Sequence, residues 1–530
     1  MLFLIRFGFL VVECLAKWWF WLANWSRPRG ELPPVDDEVL LDSAVTLAKK
    51  IRRKQVTCER VVQACIRRTQ QVGPLLNCVA ATRFEAAVSE ARKVDAFLAS
   101  TRIGADDLAR DMPFLGVPFT CKESLAVAGM EQSCGFLPRK GYIATEDSPV
   151  VKMMKDAGGI LIATTNVPEL AFWWETVSRQ RGVTLNPYDF RRTPGGSSGG
   201  EAALVASAGS PIGIATDFYG SIRIPANFCG IFGHKPSGRI VPSGGHFPDG
   251  GEKVEGTFVV GPVARTAADC EAVMNVLSRP STNKLVPMKK PLKNLKVFYM
   301  PHDCGGLLTS FVNDEVEDML LTLVARLNCD GATAKKVRIP EAGWASLLFL
   351  FESIERGGRD SLRLRMNYPN KGPLNPFKEL FWYVMGKSIH VWPLVLSALV
   401  EYFATALLRT PVRGLVFRRL ASVRQKFRDL LDTDENTVFL YPTMPHTALF
   451  HGQPCVVPFN ASYTALLSIL QLPVTQVHLG MSSDGLPIGA QVVGGPGKDW
   501  LTLAVAEEIE NKFGGWKPPF PVLHENTEIR

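Results

Sequence analysis

The chain has 530 residues, of which 46% are hydrophobic, and it carries a net charge of +8. A chain of this length and composition can bury a large core, which excludes a disordered protein. Its basic residues are spread out without a long Lys/Arg block, so a negatively charged membrane surface is favoured over nucleic acid as a partner. The 11 cysteines form no CxxC pair, so the sequence predicts neither a disulfide framework nor a metal site.

The first 26 residues are predicted to form a single membrane anchor, at an endomembrane or at the surface of a lipid droplet. Residues 1–25 read MLFLIRFGFLVVECLAKWWFWLANW, a length that covers a bilayer core as a helix. Arg6, Glu13, Lys17 and Asn24 fall on one narrow stripe of that helix. The helix then either lies in the membrane interface with the stripe toward water, or spans the bilayer with the stripe toward a partner. A buried amphipathic arm of a soluble enzyme is the alternative.

The globular part is predicted to begin after a proline-broken linker at residues 27–37, and to be of the α/β class. Apolar residues recur at helical spacing over residues 40–53, 56–71 and 84–98. From Pro113 onward, short β-rich runs alternate with helical ones, at residues 115–120, 159–164, 202–208 and 212–215. This alternation indicates a large sheet covered by helices.

Residues 377–420 form a second apolar stretch, which contains tryptophan and is edged by arginines. Its most apolar part, residues 391–400, is too short to span a bilayer. The stretch therefore predicts a cap that faces the membrane, or a lid over an apolar pocket. An ordinary buried pair of helices is the alternative.

Two serine clusters set among glycines indicate nucleophilic chemistry, with Ser197 and Ser221 lying 24 residues apart. A serine hydroxyl needs a base within hydrogen-bond reach to act as a nucleophile. A GxSxG pattern centred on Ser198 would fit a nucleophile elbow, but the preceding residues, RRTP, do not form the strand that the elbow requires. A neutral lysine can replace histidine as the base if burial lowers its pKa. Lys122, which ends the apolar run GVPFTCK, is the candidate.

Several motifs, in this order along the chain, resemble those of the amidase signature family: GVPFTCKE at 116–123, TNVPEL at 165–170, GGSSGGE at 195–201, SIRIPA at 221–226 and FGHKP at 232–236. Blocks at 439–445, 472–475 and 485–493 are similar to later parts of the family. Together with the apolar amino terminus, the resemblance is greatest for the type-2 branch of the fatty-acid amide hydrolases. It implies an amidase signature domain at 38–525, with its signature core at 115–240 and the cap at 377–420. It also implies a large mixed β-sheet with helices on both faces.

The roles of the reacting residues follow from this resemblance. It implies that Ser221 is the nucleophile, that Ser197 is a bridging serine preceded by a cis peptide bond, and that Lys122 is the base, which later serves as the acid for the leaving amine. No metal and no organic cofactor are implied. The residues that would support the two serine loops are Gly196, Ser198, Asp217 and Arg223.

The family's oxyanion hole is made of backbone N–H groups, which here would be those of Phe218, Tyr219, Gly220 and Ser221. Tyr219 stands where the resemblance implies a glycine. If that position required a positive φ, a tyrosine would be strained and would tilt the donors away from the substrate.

The implied function is a membrane serine hydrolase that cleaves fatty-acid amides to a free fatty acid and an amine or ammonia, through an acyl-enzyme. Its expected partners are a lipid-like amide and a membrane, without nucleic acid, and a homodimer is left open. Two alternatives remain: a weakened relative that binds lipid amides without turning them over, and a soluble amidase subunit of a tRNA-dependent amidotransferase.

Overall fold

The computed structural model describes residues 2–249, 256–278, 294–357, 361–370 and 372–522. The α-helices within these residues are α1 Leu2–Asn24, α2 Ala44–Arg52, α3 Cys58–Leu76, α4 Phe84–Ser100, α5 Ala105–Asp111, α6 Pro149–Asp156, α7 Gly199–Ala206, α8 Arg223–Phe228, α9 Ala267–Leu277, α10 Asp314–Cys329, α11 Ala345–Gly357, α12 Leu362–Met366, α13 Pro376–Val384, α14 Trp392–Leu407, α15 Val412–Leu431, α16 Ser462–Ile469 and α17 Asp499–Phe513. The first helices of the globular part agree with the predicted helical segments.

The strands are β1 Val79–Thr82, β2 Pro118–Lys122, β3 Ile160–Thr165, β4 Val177–Ser178, β5 Gly182–Val183, β6 Ile212–Asp217, β7 Phe232–Lys235, β8 Val259–Ala264, β9 Lys296–Tyr299, β10 Thr333–Lys336, β11 Thr437–Pro442, β12 Val474–Met481 and β13 Pro487–Gly494. Eleven of them form one sheet in the order β1-β3-β2-β6-β8-β7-β12-β13-β11-β9-β10, and β4 pairs with β5 alone. The sheet is mixed, because β2 runs parallel to β3 and β6 while β6 runs antiparallel to β8.

Helices cover both faces of this sheet. Every residue of β2, β3, β6, β8 and β11 is buried, and successive side chains of a strand point to opposite faces. Both faces of the central strands are therefore shielded from solvent, as in other α/β proteins. The predicted fold class, a large mixed sheet with helices, is confirmed.

The parallel strands β2, β3 and β6 position the candidate site. Their carboxyl ends lie at the same edge of the sheet, and they carry Lys122, Thr165 and Asp217 as final residues. Residues 202–208, one of the β-rich runs, instead lie mostly in helix α7, whose eight residues are all buried. A Cβ atom at Gly200 would lie 2.6 Å from the backbone nitrogen of Asn166, so only glycine lets α7 approach the end of β3 this closely.

Part of the polar stripe of α1 faces the rest of the chain, whereas the side chain of Lys17 in the same stripe is 53% exposed. Glu13 and Asn24 are 4% and 7% exposed, and Arg6 donates a hydrogen bond to the carbonyl of Thr309. Arg191 donates to the carbonyl of Asn24 at 3.2 Å. The large exposed apolar side chains of the helix are Leu4, Ile5, Phe7, Val11, Val12, Leu15, Trp18, Trp19, Trp21, Leu22 and, just beyond its end, Trp25.

Among the described helices, none is by itself both long and apolar enough to cross a membrane. Helices α14 and α15 reach that length and hydropathy only as a pair, with a bend of 101° between them. The anchor at residues 1–26 and the linker at 27–37 stay predictions.

The predicted cap consists of α13, α14 and the beginning of α15. One side of α14 is buried, because Leu394 and Ala398 pack in one cluster with Phe136 and Leu170, which precede the cap in the chain. The other side of α14 forms an exposed apolar surface together with α13 and the loop between the two helices. Its residues are Phe377, Phe381, Val384, Met385, Ile389, Tyr402, Phe403 and Leu407. An ordinary, fully buried helix pair does not describe this element, and its contact with a membrane stays a prediction.

Candidate active site

Lys122 lies at the centre of the candidate site. Its side chain is fully buried, and its Nζ donates to Ser197 Oγ at 2.6 Å and to Thr216 Oγ1 at 2.8 Å. Burial lowers the pKa of Lys122 from 10.5 to about 8, although Cys134, Asp217 and Glu201 act in the opposite direction. Near pH 8 a large fraction of this amine is therefore neutral and able to accept a proton.

The loop that carries Ser197 is pressed between two other segments. Gly195 has a φ of +87°, and a Cβ atom there would lie 2.8 Å from the Cα of Pro225. At Gly196 a Cβ would lie 2.5 Å from the carbonyl oxygen of Trp173. The peptide bond between Gly196 and Ser197 is cis, as the family resemblance implies. Glycine at both positions thus allows the hydroxyl of Ser197 to reach Lys122.

The second serine cluster lies directly beside the first. The backbone N–H of Ser198 donates to the carbonyl of Ser221 at 3.2 Å. The side chain of Ser198 donates to the carbonyl of Thr216 at 3.4 Å. Ser221 is half-buried, and within the described part of the chain its Oγ has no hydrogen-bond partner. The structure thus joins Lys122 to Ser197 directly and brings Ser221 to them through the backbone, without a bond between the two serine hydroxyls.

Asp217 and Arg223 hold the loop around Ser221. The carboxylate of Asp217 accepts the backbone N–H groups of Gly220 at 2.9 Å and Ile222 at 3.1 Å. Arg223 donates to both carboxylate oxygens at 3.0 Å. Burial acts to raise the pKa of Asp217, but the neighbouring Arg223 charge and hydrogen bonds hold it below 3.8. Asp217 is therefore a charged group that holds the loop through these backbone N–H groups and through Arg223.

Arg223 also reaches elements that are remote in sequence. It donates to the carbonyl of Thr464 at 2.9 Å, to Gln491 Oε1 at 2.8 Å and to Ser468 Oγ at 2.7 Å. Sequence reasoning missed these three residues and Thr216. Thr216 has a local signal, because it precedes Asp217 in the strand that leads into the nucleophile loop.

The four N–H groups expected in the oxyanion hole are not equivalent. That of Gly220 is already donated to Asp217, so it is not free to bind a substrate. Among the residues that the structure describes, the N–H groups of Phe218, Tyr219 and Ser221 have no acceptor. Three of the four predicted donors are therefore open.

Tyr219 does not occupy the strained position of this loop. The positive φ falls at Gly220, with a value of +129°, and Tyr219 is not among the non-glycine residues with positive φ. The hydroxyl of Tyr219 donates to Ser346 Oγ, and its ring lies 4.6 Å from that of Phe349, centroid to centroid. The condition under which a tyrosine would tilt the donors is thus not met.

The comparisons with known proteins agree with this geometry. The Amidase family matches residues 60–503 of the chain. Fatty-acid amide hydrolase 2-A of Danio rerio is 39% identical over 495 residues, which are 92% of this chain and 92% of that protein. Fatty-acid amide hydrolase 2 of Homo sapiens is likewise 39% identical, with 92% of each chain covered.

A solved structure shares the fold. A bacterial aryl acylamidase of the amidase signature enzymes superposes with a TM-score of 0.72 at 20% identity, over 90% of this chain and 97% of that chain. The chain therefore belongs to the amidase signature family and is an amide-hydrolysing enzyme.

Proposed function

We propose that the chain is a membrane-associated serine hydrolase that cleaves fatty-acid amides, with Ser221 as nucleophile, Ser197 as bridging serine and Lys122 as base. The observation that carries the proposal is the 2.6 Å contact between Lys122 Nζ and Ser197 Oγ. It lies in a buried site where the pKa of Lys122 is lowered to about 8. A serine nucleophile can be activated by such a neighbouring base.

The first half of the reaction forms an acyl-enzyme. Lys122 takes the proton of Ser197 while Ser197 takes that of Ser221, whose Oγ turns toward Ser197 and attacks the carbonyl carbon of the amide. The carbonyl oxygen becomes an oxyanion and accepts the open N–H groups of Phe218, Tyr219 and Ser221. The proton on Lys122 then returns through Ser197 to the leaving nitrogen, and the C–N bond breaks. An amine or ammonia departs, and the acyl group remains as an ester on Ser221.

Water completes the cycle by the same path. Lys122, acting through Ser197, removes a proton from a water molecule, which attacks the ester carbon. The proton returns to Ser221 Oγ as the C–O bond breaks and the fatty acid leaves.

Apolar packing beside the nucleophile supports a lipid-like acyl group. Tyr219 contacts two hydrophobic clusters, one of which contains Phe349 and the other Trp174 and Phe228. Apolar surroundings of this kind suit a long acyl chain. The two relatives named as fatty-acid amide hydrolases further support this substrate class for the present chain.

Two exposed apolar surfaces support association with a membrane. One is the outward face of α1, whose polar residues Glu13 and Asn24 are buried against the body of the protein, and the other is the outer side of α13 and α14. A helix that presents apolar and tryptophan side chains outward is suited to the interface of a bilayer.

Labelling with a fluorophosphonate tests this proposal. We expect a stoichiometric adduct on Ser221 and hydrolysis of oleamide by the full chain in detergent. Ser221→Ala abolishes both, and Lys122→Ala lowers both. Ser207 follows the last residue of α7, and its buried hydroxyl donates to the carbonyl of Ala203. Ser207→Ala is the matched control and leaves both unchanged.

Two outcomes would overturn the proposal. One is a folded wild-type chain without an adduct at Ser221. The other is a labelled chain that leaves oleamide intact and releases ammonia only from glutamine, which would support the amidotransferase-subunit alternative.

A further inference from the structure

A buried glutamate connects the two elements that carry Lys122 and Ser197. Glu201 lies in the first turn of α7 and is fully buried. Its Oε1 accepts the hydroxyl of Thr120, and its Oε2 accepts the hydroxyl of Thr165. Both threonines are themselves fully buried. Each carboxylate oxygen is therefore bound to a different strand of the sheet.

These two threonines lie beside the reacting lysine. Thr120 is two residues before Lys122 on β2, so that both side chains point to the same face of the strand. Thr165 ends β3 and is the direct partner of Lys122 in the parallel pair. The carboxylate of Glu201 therefore binds β2 and β3 next to the position of Lys122 in β2.

The other end of the connection is the loop of Ser197. Glu201 is four residues after Ser197, and Ser198 accepts the first backbone hydrogen bond of α7, from the N–H of Ala202 at 3.1 Å. A third strand, β6, leaves space for the carboxylate because it has a glycine at position 213. A Cβ atom at Gly213 would overlap the side chain of Glu201. Residues on three strands are thus arranged around this one side chain.

We propose that Glu201 is a positioning residue, which sets the distance between Lys122 and Ser197 by fixing the start of α7 to β2 and β3. This inference rests on the proposed function, because it assigns no reaction of its own to Glu201. It predicts that the length of the side chain matters more than its charge. A glutamine keeps that length, and the threonine hydroxyls can donate to its oxygen and accept from its nitrogen.

The charge state of Glu201 is set by its burial, which raises its pKa from 4.5 to about 8. The groups that act on Lys122 are Cys134, Asp217 and Glu201, and Lys122 in turn acts on Glu201 and His246. Glu201 also lies near Cys78 and Cys121. At pH 7 the carboxyl of Glu201 is therefore mostly neutral, as a glutamine is at every pH. Glu201→Gln should then leave the pKa of Lys122 close to that of the wild type.

Three variants of the full chain separate length, charge and stability. Glu201→Asp keeps the carboxyl group but cannot reach both threonines, and we expect kcat/KM for oleamide to fall by about 100-fold, the usual result of misplacing a reacting group by about 1 Å. Glu201→Gln keeps the length of the side chain, so it should keep most of the rate and nearly the wild-type pH profile. Val205→Ala, a fully buried change in the same helix, lowers the melting temperature without a 100-fold fall in kcat/KM.

A matched ester of oleic acid supplies a readout that a loss of folding would not change. An amine must be protonated to leave, whereas an alkoxide leaves with less help, so a misplaced Lys122–Ser197 pair slows the amide more than the ester. We expect Glu201→Asp to lower the amide-to-ester ratio of kcat/KM, and Val205→Ala to leave it unchanged.

The inference is overturned if Glu201→Asp retains the wild-type rate, if it slows amide and ester equally, or if Glu201→Gln loses as much activity as Glu201→Asp. In each case the wild type is still labelled at Ser221. A wild type that carries no label at Ser221 instead overturns the proposed function, and with it the role of Glu201.

Discussion

Asp217 and Arg223 face each other as a fully buried ion pair, with both carboxylate oxygens accepting hydrogen bonds of 3.0 Å. The same carboxylate holds the N–H groups on either side of Ser221. The guanidinium continues from there to α16 and β13. One ion pair therefore connects the nucleophile loop to a part of the chain more than 240 residues away in sequence.

Removing Arg223 alone should lower the free energy of unfolding more than removing the charges of both Asp217 and Arg223. In Arg223→Met a buried carboxylate is left uncompensated, which costs about 3–5 kcal/mol. The double variant Asp217→Asn/Arg223→Met carries no lone buried charge, so we expect it to recover part of this loss in urea unfolding. Both variants lose activity, because the hold on the loop is weakened.

The same substitution at an exposed pair is the control. Arg413 pairs with Glu355 at 2.8 Å, but its side chain is 54% exposed, so Arg413→Met should change the free energy of unfolding by less than about 1 kcal/mol. A double variant whose loss equals the sum of the two single losses would contradict the assignment of Asp217 and Arg223 as a coupled pair.

Restoring glycine at position 219 should lower activity rather than raise it. Tyr219→Gly removes the hydrogen bond to Ser346 and the ring packing on Phe349. We expect this loss to lower the free energy of unfolding by at least about 2 kcal/mol. The loop already has its glycine at the position of positive φ, Gly220. Tyr219→Phe removes only the hydroxyl and should lower the free energy of unfolding by about 1 kcal/mol.

The measurements are kcat/KM for oleamide and the melting temperature. A rise in kcat/KM for Tyr219→Gly would mean that the tyrosine weakens the enzyme, and it would support the alternative of a lipid-amide binder with little turnover.

The difference between positions 219 and 220 shows where sequence reasoning ends. Lys122, Ser197 and Ser221 lie in local motifs, so the resemblance of those motifs to the amidase signature family was enough to propose them as the reacting residues. Which residue of the loop must be glycine depends also on Thr464, which lies where a Cβ of Gly220 would be. The order of strands in the sheet brings Thr464 there, and no spacing rule encodes that order.

The orientation of α1 was undetermined for a similar reason. The sequence defines a polar stripe through Glu13 and Asn24, but a helical pattern is the same whether its polar side faces water or protein. In the structure Glu13 and Asn24 are buried and Arg6 donates to Thr309 on a distant loop, while Lys17 stays exposed.

Activity should rise with pH through the pKa of Lys122. The reaction requires the neutral amine, and burial lowers the pKa of Lys122 to about 8. Below that value kcat/KM should fall about tenfold per pH unit, as expected for one essential base. A profile that is flat between pH 6 and 9 would contradict Lys122 as the base.

The same pKa predicts a gain in stability when the amine is removed. A lysine whose pKa is lower in the folded state opposes folding fully below pH 8, and this penalty disappears above its unfolded value of 10.5. Lys122→Met should thus be inactive but more stable at pH 7, by up to about 3 kcal/mol. The gain should vanish when unfolding is measured near pH 10.5.

The outward face of α1 should decide how tightly the chain binds lipid. Trp18, Trp19 and Trp21 are 60%, 60% and 55% exposed, while Glu13 and Asn24 of the same helix are buried. Burying a large apolar side chain contributes about 1.5–3 kcal/mol, so replacing all three by serine should weaken binding to phosphatidylcholine vesicles by at least about tenfold. Since none of the three contacts the candidate site, turnover of a short soluble amide should be unchanged.

Ile103→Ser, at an apolar residue 49% exposed on the globular body, is the control and should bind vesicles as the wild type does. If the triple variant also binds as tightly as the wild type in flotation experiments, the membrane surface of this enzyme lies elsewhere than on α1.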